Sequence, residues 1–287
     1  LQKLWNVSAD VLVRLPDGRE FALDSHHYPG AVWPDGAHWL VDFRRLPWPR
    51  WRYVVGDLTV ERELLMGDTP GTTLLRWRAS GPAQIVVRPL CTGRDYHALH
   101  RRNAALQQNV RTASGGFVVQ PYSGVPPIYF GHDGDFAEEW RWYHQMTYPL
   151  EAERGLDSEE DLWSPGRITF QNGGTLTLST RTPQGDVARA FAQAEDLRGG
   201  RTPLDHAAEH FVVRRGEAPT ILAGYPWFTD WGRDTLIALP GLRLAPDDQL
   251  AILRLLARHQ REGLIPNRFL EDGSAAEYNA ADASLWF

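Results

Sequence analysis

The spacing of apolar residues changes near residue 185, and this change constrains the fold more than any other feature of the sequence. Before it, short runs alternate between apolar and polar residues and are separated by Gly, Pro and Asp. Such a period of two is typical of β-strands and hairpins. Residues 1–185 are therefore predicted to form a β-sandwich. The predicted strands are Asp10–Leu15, Glu20–Leu23, Trp51–Val55, Leu58–Met66, Thr72–Arg78, Ile85–Leu90, Arg167–Phe170 and Thr175–Thr180.

After residue 185 the apolar residues recur at helical spacing. One stripe predicts a linker helix over residues 186–201, which ends at Gly199-Gly200. Thr202 is suited to cap a second helix that has proline at its first position and runs to about Val213. Further helices are predicted over Asp234–Leu239 and Pro246–Gly263, and another begins at Ala281.

The composition limits the classes of function. A chain of 287 residues with 43% hydrophobic and 23% charged residues is typical of a soluble protein of one or two domains. No apolar run approaches the roughly 20 residues of a membrane-spanning helix, and the net charge of −6 disfavours a nucleic-acid partner. The single cysteine, Cys91, and the ten scattered histidines predict neither an internal disulfide nor a metal site. His97 and His100 are interpreted as ordinary polar residues. No signal peptide is recognised, so a cytoplasmic location is expected.

The lengths of the links between helices predict where function concentrates. Helices joined by short links run antiparallel, so successive links alternate between the two ends of the array. The long links, Arg214–Arg233 and Gly263–Ala280, then fall at one end, and the short link Arg243–Ala245 falls at the other. The segment Tyr225–Thr235, which spans the end of the first long link, contains aromatic residues, two aspartates and an arginine just ahead of a helix. Aromatic faces beside charged hydrogen-bonding groups are suited to binding a sugar.

These segments carry a resemblance to a known family. The second half resembles the amylo-α-1,6-glucosidase domain of bacterial and archaeal glycogen debranching enzymes, and the first half is similar to the N-terminal domain of that family. The matching segments are Leu222–Thr235, Gly263–Phe269 and Glu277–Phe287, with Tyr28–Gly30, Leu46–Trp51 and Arg88–His97 in the first half.

The resemblance implies a multidomain protein with a β-sandwich, of supersandwich type, before an (α/α)6 toroid. Residues 202–287 would supply the first helices of that toroid, so the chain is expected to be a fragment. The implied reaction is the inverting hydrolysis of single α-1,6-linked glucose residues at the branch points of glycogen or limit dextrin. It implies no cofactor and no metal. The implied partner is an α-glucan, while the oligomeric state is not predicted.

The resemblance also implies roles for individual residues. Arg233 and Asp234 would bind the hydroxyl groups of the terminal glucose, between apolar walls formed by Trp227 and Trp231. A second substrate-binding pair, Asn279 and Asp282, would add hydrogen bonds from the next loop. The general acid and base are expected beyond Phe287.

Each assignment has a structural alternative. Asp234 is placed to complement a helix dipole, Arg233 to pair with Asp230 or Asp234, and Asp282 to cap the last helix. Trp227, Phe228 and Trp231 would equally suit packing beneath the rim. The acidic runs Glu138-Glu139 and Asp157–Asp161 are interpreted as solvated surface.

Two alternative functions stay open at the level of the sequence. A glucoamylase- or trehalase-like enzyme would act on another α-glucosidic bond, and it would differ in the pocket beyond the first glucose. A noncatalytic carbohydrate-binding module would instead use the β-sandwich, and residues 1–185 would bind glucan without the second half of the chain.

Overall fold

A computed structural model describes residues 3–67, 71–95, 98–181, 187–198, 202–225, 228–270 and 275–287. The chain forms two compact units, Lys3–Gly199 and Gly200–Phe287. The change of apolar period thus lies close to the boundary between the two units.

The first unit consists mainly of antiparallel strands. Fifteen strands are described in it, with one short α-helix, one 3-10 turn over Ala37–Trp39 and a longer helix at its end. The strands are β1 Lys3–Arg14, β2 Glu20–Ala22, β3 Ser25–Tyr28, β4 Ala31–Asp35, β5 Leu40–Arg44, β6 Arg50–Val55, β7 Leu58–Met66, β8 Thr72–Ala79, β9 Gln84–Asp95, β10 Val110–Ala113, β11 Gly116–Val119, β12 Ile128–His132, β13 Asp135–Thr147, β14 Glu159–Gln171 and β15 Gly173–Ser179. The helices are α1 Pro149–Glu153 and α2 Val187–Arg198.

These strands form two large sheets with a shared core. The seven-stranded sheet has the order β2-β1-β9-β14-β13-β3-β4, and the eight-stranded sheet has the order β10-β11-β12-β15-β8-β7-β6-β5. Side chains from both sheets meet in one hydrophobic cluster, in which Trp77 of one sheet and Trp163 of the other are fully buried. All eight strands predicted from the alternating pattern are present, so the prediction of a β-rich first half is confirmed.

Helix α2 packs on the eight-stranded sheet within the first unit. Phe191 is buried with Leu65 and Leu74. Arg76 of β8 lies over the ring of Phe191, at 3.8 Å from the ring centroid, and also pairs with Glu195 at 2.7 Å. Phe191, one residue of the apolar stripe that predicted this helix, therefore faces the sheet.

The interpretation of Asp157–Asp161 as solvated surface was wrong for Glu160 and Asp161, whereas Asp157 is exposed. Glu160 is fully buried, and it accepts hydrogen bonds from Arg94 at 2.7 and 2.9 Å and from the hydroxyl of Tyr148 at 2.5 Å. Asp161 is also buried and accepts from the backbone amides of Arg102 and Gln145. Burial of these carboxylates is compatible with folding because each has several hydrogen-bond donors.

The second unit contains four α-helices among its described residues, together with short strands. The helices are α3 Pro203–Phe211, α4 Gly232–Ala238, α5 Pro246–Arg258 and α6 Ala283–Trp286, with a 3-10 turn over Leu239–Gly241. The strands are β16 Val212–Arg215, β17 Ala218–Gly224, β18 Phe228–Asp230, β19 Arg268–Phe269 and β20 Ala276–Glu277. A small core joins them, centred on Ile221, Ile252, Leu256 and Ile265.

The cap of α3 is confirmed, the predicted end of α5 is wrong, and the two long links contain short strands. The Thr202 side chain accepts a hydrogen bond from the backbone amide of Asp205 at 3.2 Å, as an N-cap does. Helix α5 ends at Arg258 and not at Gly263, because the chain turns back so that the Arg261 and Leu264 backbones pair. The long links contain strands: β16, β17 and β18 form one small sheet, and β19 pairs with β20.

The (α/α)6 toroid stays a prediction, because four described helices do not establish such a ring. No helix within the described ranges has both the length and the apolar character needed to cross a membrane.

Candidate functional site

The two long links of the second unit are held together by their backbones, at Trp231-Gly232 in one and Asn267-Arg268 in the other. The Gly232 amide, at the start of α4, donates to the carbonyl oxygen of Asn267 at 2.7 Å, and Trp231 pairs with Arg268. A Cβ atom on Gly232 would lie 1.9 Å from the carbonyl oxygen of Pro266. Only glycine therefore permits this close approach of the two segments. The predicted meeting of the two long links is what the structure shows.

Arg233 and Asp282 face each other across these segments. The Nη1 atom of Arg233 lies 3.6 Å from Oδ2 of Asp282, and the two side chains are 41% and 48% exposed. Asp282 occupies the N-cap position of α6, but its side chain makes no capping hydrogen bond. A long, exposed pair of this kind contributes little stability, so both groups are accessible to a ligand.

Two oxygen atoms near this pair are buried without a hydrogen-bond donor. They are Oδ2 of Asp234, in the first turn of α4, and Oδ1 of Asn267. Neither oxygen accepts a hydrogen bond from any residue that the structure describes. Buried acceptors are normally satisfied, because an unpaired one costs about 1–3 kcal/mol. Two of them in adjoining segments indicate a site for a ligand that carries hydrogen-bond donors.

Asn279 is connected to this site through Asn267. The Nδ2 group of Asn267 donates to Oδ1 of Asn279 at 2.7 Å, and Asn267 itself is 4% exposed. Asn267 was not among the predicted site residues, because no periodicity distinguishes a buried asparagine from an exposed one within a loop. Its sequence signal was limited to its place in a polar segment next to Arg268 and Phe269.

Aromatic side chains border the same region. Trp231 is half-buried and meets the exposed ring of Phe228 edge to face, with centroids 5.6 Å apart and planes at 86°. Such a pair offers one apolar wall to solvent. Trp227, the other predicted wall, lies outside the described residues.

Asp230, the first aspartate of the motif, is part of the scaffold. It is 3% exposed and accepts two hydrogen bonds from the guanidinium of Arg215, one of them at 2.7 Å, and another from the hydroxyl of Thr220 at 3.1 Å. The alternative in which Arg233 pairs with Asp230 is therefore wrong. Arg215 holds that carboxylate and fixes the strand that leads into the motif.

The described side chains of this region combine hydrogen-bond donors, acceptors and an apolar surface. Arg233 supplies donors, Asp234 and Asn267 supply acceptors, and Trp231 supplies an apolar surface. Among the described residues no group of three His, Cys, Asp or Glu side chains is arranged to hold a metal ion.

Comparisons with known proteins match both halves of the chain. The family profile described as glycogen debranching enzyme N terminal matches residues 5–177, and the profile described as amylo-alpha-1,6-glucosidase matches residues 206–287. A comparison with solved structures also matches a bacterial glucoamylase complexed with acarbose, at 8% sequence identity and a TM-score of 0.48. The match covers 96% of this chain and 48% of the glucoamylase, so the chain spans about half the length of that structure. Since the first profile alone matches more than half of its residues, the chain belongs to the glycogen debranching enzyme family.

Proposed function

We propose that this chain is the substrate-binding part of a glycoside hydrolase that removes α-1,6-linked glucose at the branch points of glycogen or limit dextrin. Family membership supports a glucan as the substrate. The observation that carries the proposal is the pair of buried, unpaired acceptors, Asp234 Oδ2 and Asn267 Oδ1, beside the exposed Arg233.

A terminal glucose has the chemistry that these atoms require. Its hydroxyl groups donate to buried oxygens that otherwise lack a partner, and its hydroxyl oxygens also accept from the Arg233 guanidinium. The C–H faces of the pyranose ring match the apolar surface of Trp231. Asp282 pairs with Arg233, whose other N–H groups are left to donate to the ligand. Asn279 accepts from the Asn267 amide and orients it. In this proposal Asp234 binds sugar as an ionised acceptor and transfers no proton.

Hydrolysis with inversion needs two further carboxyl groups. One protonates the leaving oxygen, while the other activates water on the opposite face of the ring, with about 6.5–9.5 Å between them. We propose that both lie beyond Phe287. We also propose that residues 202–287 begin an (α/α)6 toroid, which follows the sandwich of residues 1–185 in the sequence. The reaction, as written, involves proton transfers only and needs no cofactor. The cytoplasmic location expected from the sequence stays a prediction.

The test is the release of glucose from a phosphorylase-trimmed limit dextrin, measured for the full product of the gene and for its Arg233→Ala variant. We expect Arg233→Ala to reduce kcat/KM by at least about 100-fold, since a charged hydrogen bond made in the transition state is lost. Far-ultraviolet circular dichroism should be unchanged, because the Arg233 side chain is 41% exposed. A variant as active as the parent would refute the assignment of this site.

Two comparisons sharpen the test. The 287-residue chain alone should bind isomaltose, the α-1,6-linked disaccharide of glucose, without releasing glucose from limit dextrin. Parallel rates on maltose and trehalose identify the bond that is cleaved, because contacts beyond the first glucose decide linkage. Faster cleavage of maltose or trehalose would transfer the proposal to a glucoamylase- or trehalase-like activity.

A further inference from the structure

The outer face of the seven-stranded sheet carries polar and charged side chains along its adjacent strands β1, β9 and β14. The residues that alternate with the buried core positions form rows across these strands. In one row Asp10 lies opposite Arg88, and in another Arg14 lies opposite Gln84, which in turn lies opposite Gln171. Strand alternation thus builds a hydrogen-bonding surface on the reverse side of the hydrophobic core.

This surface is the floor of a cleft of about 650 Å³. Its floor comes from β1, β9 and β14, while β13 and the segment from β2 to β4 supply its walls. The volume is within the range of small-molecule sites, which is roughly 300–1,000 Å³. All of its lining residues belong to the first unit.

The positive side chains that line the cleft are already paired. Glu139 accepts from Arg88 at 2.6 Å and from Arg167 at 2.9 Å, and it also pairs with Arg141. Arg14 pairs with a neighbouring glutamate at 2.7 Å. The guanidinium groups keep further N–H donors, but their charge is partly neutralised.

Carboxylates also line the cleft. Asp10 pairs with His26 at 2.9 Å, and Asp24 is held by the backbone amide of Val11 and by Arg62. Burial lowers the pKa of His26, but the hydrogen bond and charge of Asp10 outweigh it and raise the pKa overall. Acidic and basic side chains lie side by side in the cleft and pair with one another, so it offers a charged ligand no region of a single sign. The cleft therefore suits a neutral ligand with many donors and acceptors.

Aromatic side chains complete the lining. Trp33 is 68% exposed, although large apolar side chains are usually covered, and it stands in the cleft wall with Tyr28 and Tyr143. Aromatic side chains with an apolar face and a polar edge are the groups that meet both surfaces of a pyranose ring.

We propose that this cleft is a second glucan-binding site, which holds a short α-glucan segment away from the site at Arg233. The choice of α-glucan as the ligand rests on the proposed function, while the presence of a neutral-ligand site rests on the cleft itself. Such a site retains the polymer while single glucose residues are removed elsewhere, which raises the effective concentration of chain ends.

The test is titration calorimetry of the 287-residue chain with maltoheptaose, a linear α-glucan without branch points. Trp33→Ala is expected to weaken binding by about five- to tenfold, because the exposed ring contributes contact area to the ligand and not to the core. Thr169→Arg, which places a long side chain on the cleft floor, should weaken binding at least as much. Phe43→Ala is the matched control, since Phe43 is 50% exposed on the other sheet and outside the cleft.

The same titration with Arg233→Ala distinguishes the two sites. Binding that is kept in Arg233→Ala and weakened in Trp33→Ala supports the cleft. Binding that is lost in Arg233→Ala and unchanged in Trp33→Ala overturns the cleft and leaves the proposed function intact. No binding of maltoheptaose by the unsubstituted chain also overturns it, while glucose release from limit dextrin judges the proposed function separately. A cleft that binds inorganic phosphate in place of maltoheptaose would be an anion site, contrary to the proposal.

Discussion

Replacing Asp230 and Asp234 by asparagine, one at a time, should distinguish the aspartate that supports the scaffold from the one that binds the ligand. Asp230 and Asp234 are four residues apart, and the apolar spacing of the sequence does not distinguish their roles, although the family resemblance assigns only Asp234 to the sugar. In the structure Asp230 is 3% exposed and holds Arg215 and Thr220, whereas Oδ2 of Asp234 is buried with no donor among the described residues. Asp230→Asn should therefore lower the stability and keep ligand binding, whereas Asp234→Asn should keep the stability and weaken ligand binding.

The expected magnitudes follow from these contacts. In Asp230→Asn an amide group replaces one of the two oxygens that accept from Arg215, which leaves its guanidinium without a counterion. Loss of one partner of a buried ion pair costs about 3–5 kcal/mol. The Arg215 side chain is 25% exposed, so water partly replaces the lost contact. We therefore expect the free energy of unfolding to fall by about 3 kcal/mol, at the lower end of that range.

Asp234→Asn should change stability much less. It removes a favourable interaction with the N-terminus of α4, worth about 0.3–1 kcal/mol. It also removes an ionised group whose buried oxygen has no described donor, which offsets that loss. We expect the free energy of unfolding to stay within about 1 kcal/mol of the parent value. Isomaltose affinity should nevertheless fall at least about tenfold, because a charged acceptor for hydroxyl groups is lost.

Urea unfolding followed by circular dichroism, with isomaltose titration by calorimetry, measures both effects. Asp230→Asn, titrated under conditions where it is folded, should bind isomaltose within about threefold of the parent. The reasoning is refuted if Asp234→Asn is the more destabilised variant, or if it binds isomaltose as tightly as the parent chain.

Three further substitutions test the packing and the electrostatics. Gly232→Ala should destabilise the second unit by about 3 kcal/mol or more, since the added methyl group meets a carbonyl oxygen, while Gly241→Ala, with open space around it, should be nearly neutral in urea unfolding. Glu160→Gln should lower the free energy of unfolding by about 3–5 kcal/mol, against less than about 1 kcal/mol for the exposed pair partner in Glu159→Gln. Burial, together with a neighbouring carboxylate, raises the pKa of Asp24 to about 6, so its folded form binds a proton more tightly than its unfolded form. The stability of the parent relative to Asp24→Asn should therefore fall as the pH rises from about 4 to about 6, which urea midpoints at several pH values measure.

Eight of the fifteen strands of the first unit were predictable, because alternation and turn residues agree locally there. Each predicted strand has a buried face in the common core, and glycine or proline lies close to most strand ends. The long strand β13 was missed, because its outward side chains include Glu138, Glu139 and Arg141, and aromatic residues interrupt a clean alternation. Glu139 is paired with arginines that approach from other strands, and sequence spacing does not record such contacts.

The candidate site was predictable at the level of segments and not of single atoms. The alternation of links brought the motif of Arg233 and that of Asp282 to one end, and a distance of 3.6 Å joins them. Local patterns did not reveal the different roles of Asp230 and Asp234, since these depend on Arg215, which lies on another strand. The Asn267 contribution depends on the backbone pairing at Gly232, which is a tertiary contact.

The two units differ in the size of their cores, and this difference predicts their order of unfolding. The first unit has a continuous core between two large sheets, while the core of the second unit is a small cluster around Ile252 and Leu256. Several large apolar side chains of the second unit are exposed, among them Leu204 at 78% and Ile237 at 50%. A small core with exposed apolar neighbours gives low stability and a tendency to associate.

The order of unfolding can be measured by chemical labelling of the Cys91 thiol in urea. Cys91 is the only cysteine of the chain, it is fully buried in the core of the first unit, and burial raises the pKa of its thiol. We expect a thiol reagent to label Cys91 only at urea concentrations above those at which the helical signal of the second unit is lost. Arg215→Ala should lower the first transition and leave the labelling midpoint unchanged, because Arg215 supports the second unit through Asp230. If labelling and helix loss shifted together in that variant, the two units would unfold as one cooperative structure, and the difference between their cores would not determine the stability of the chain.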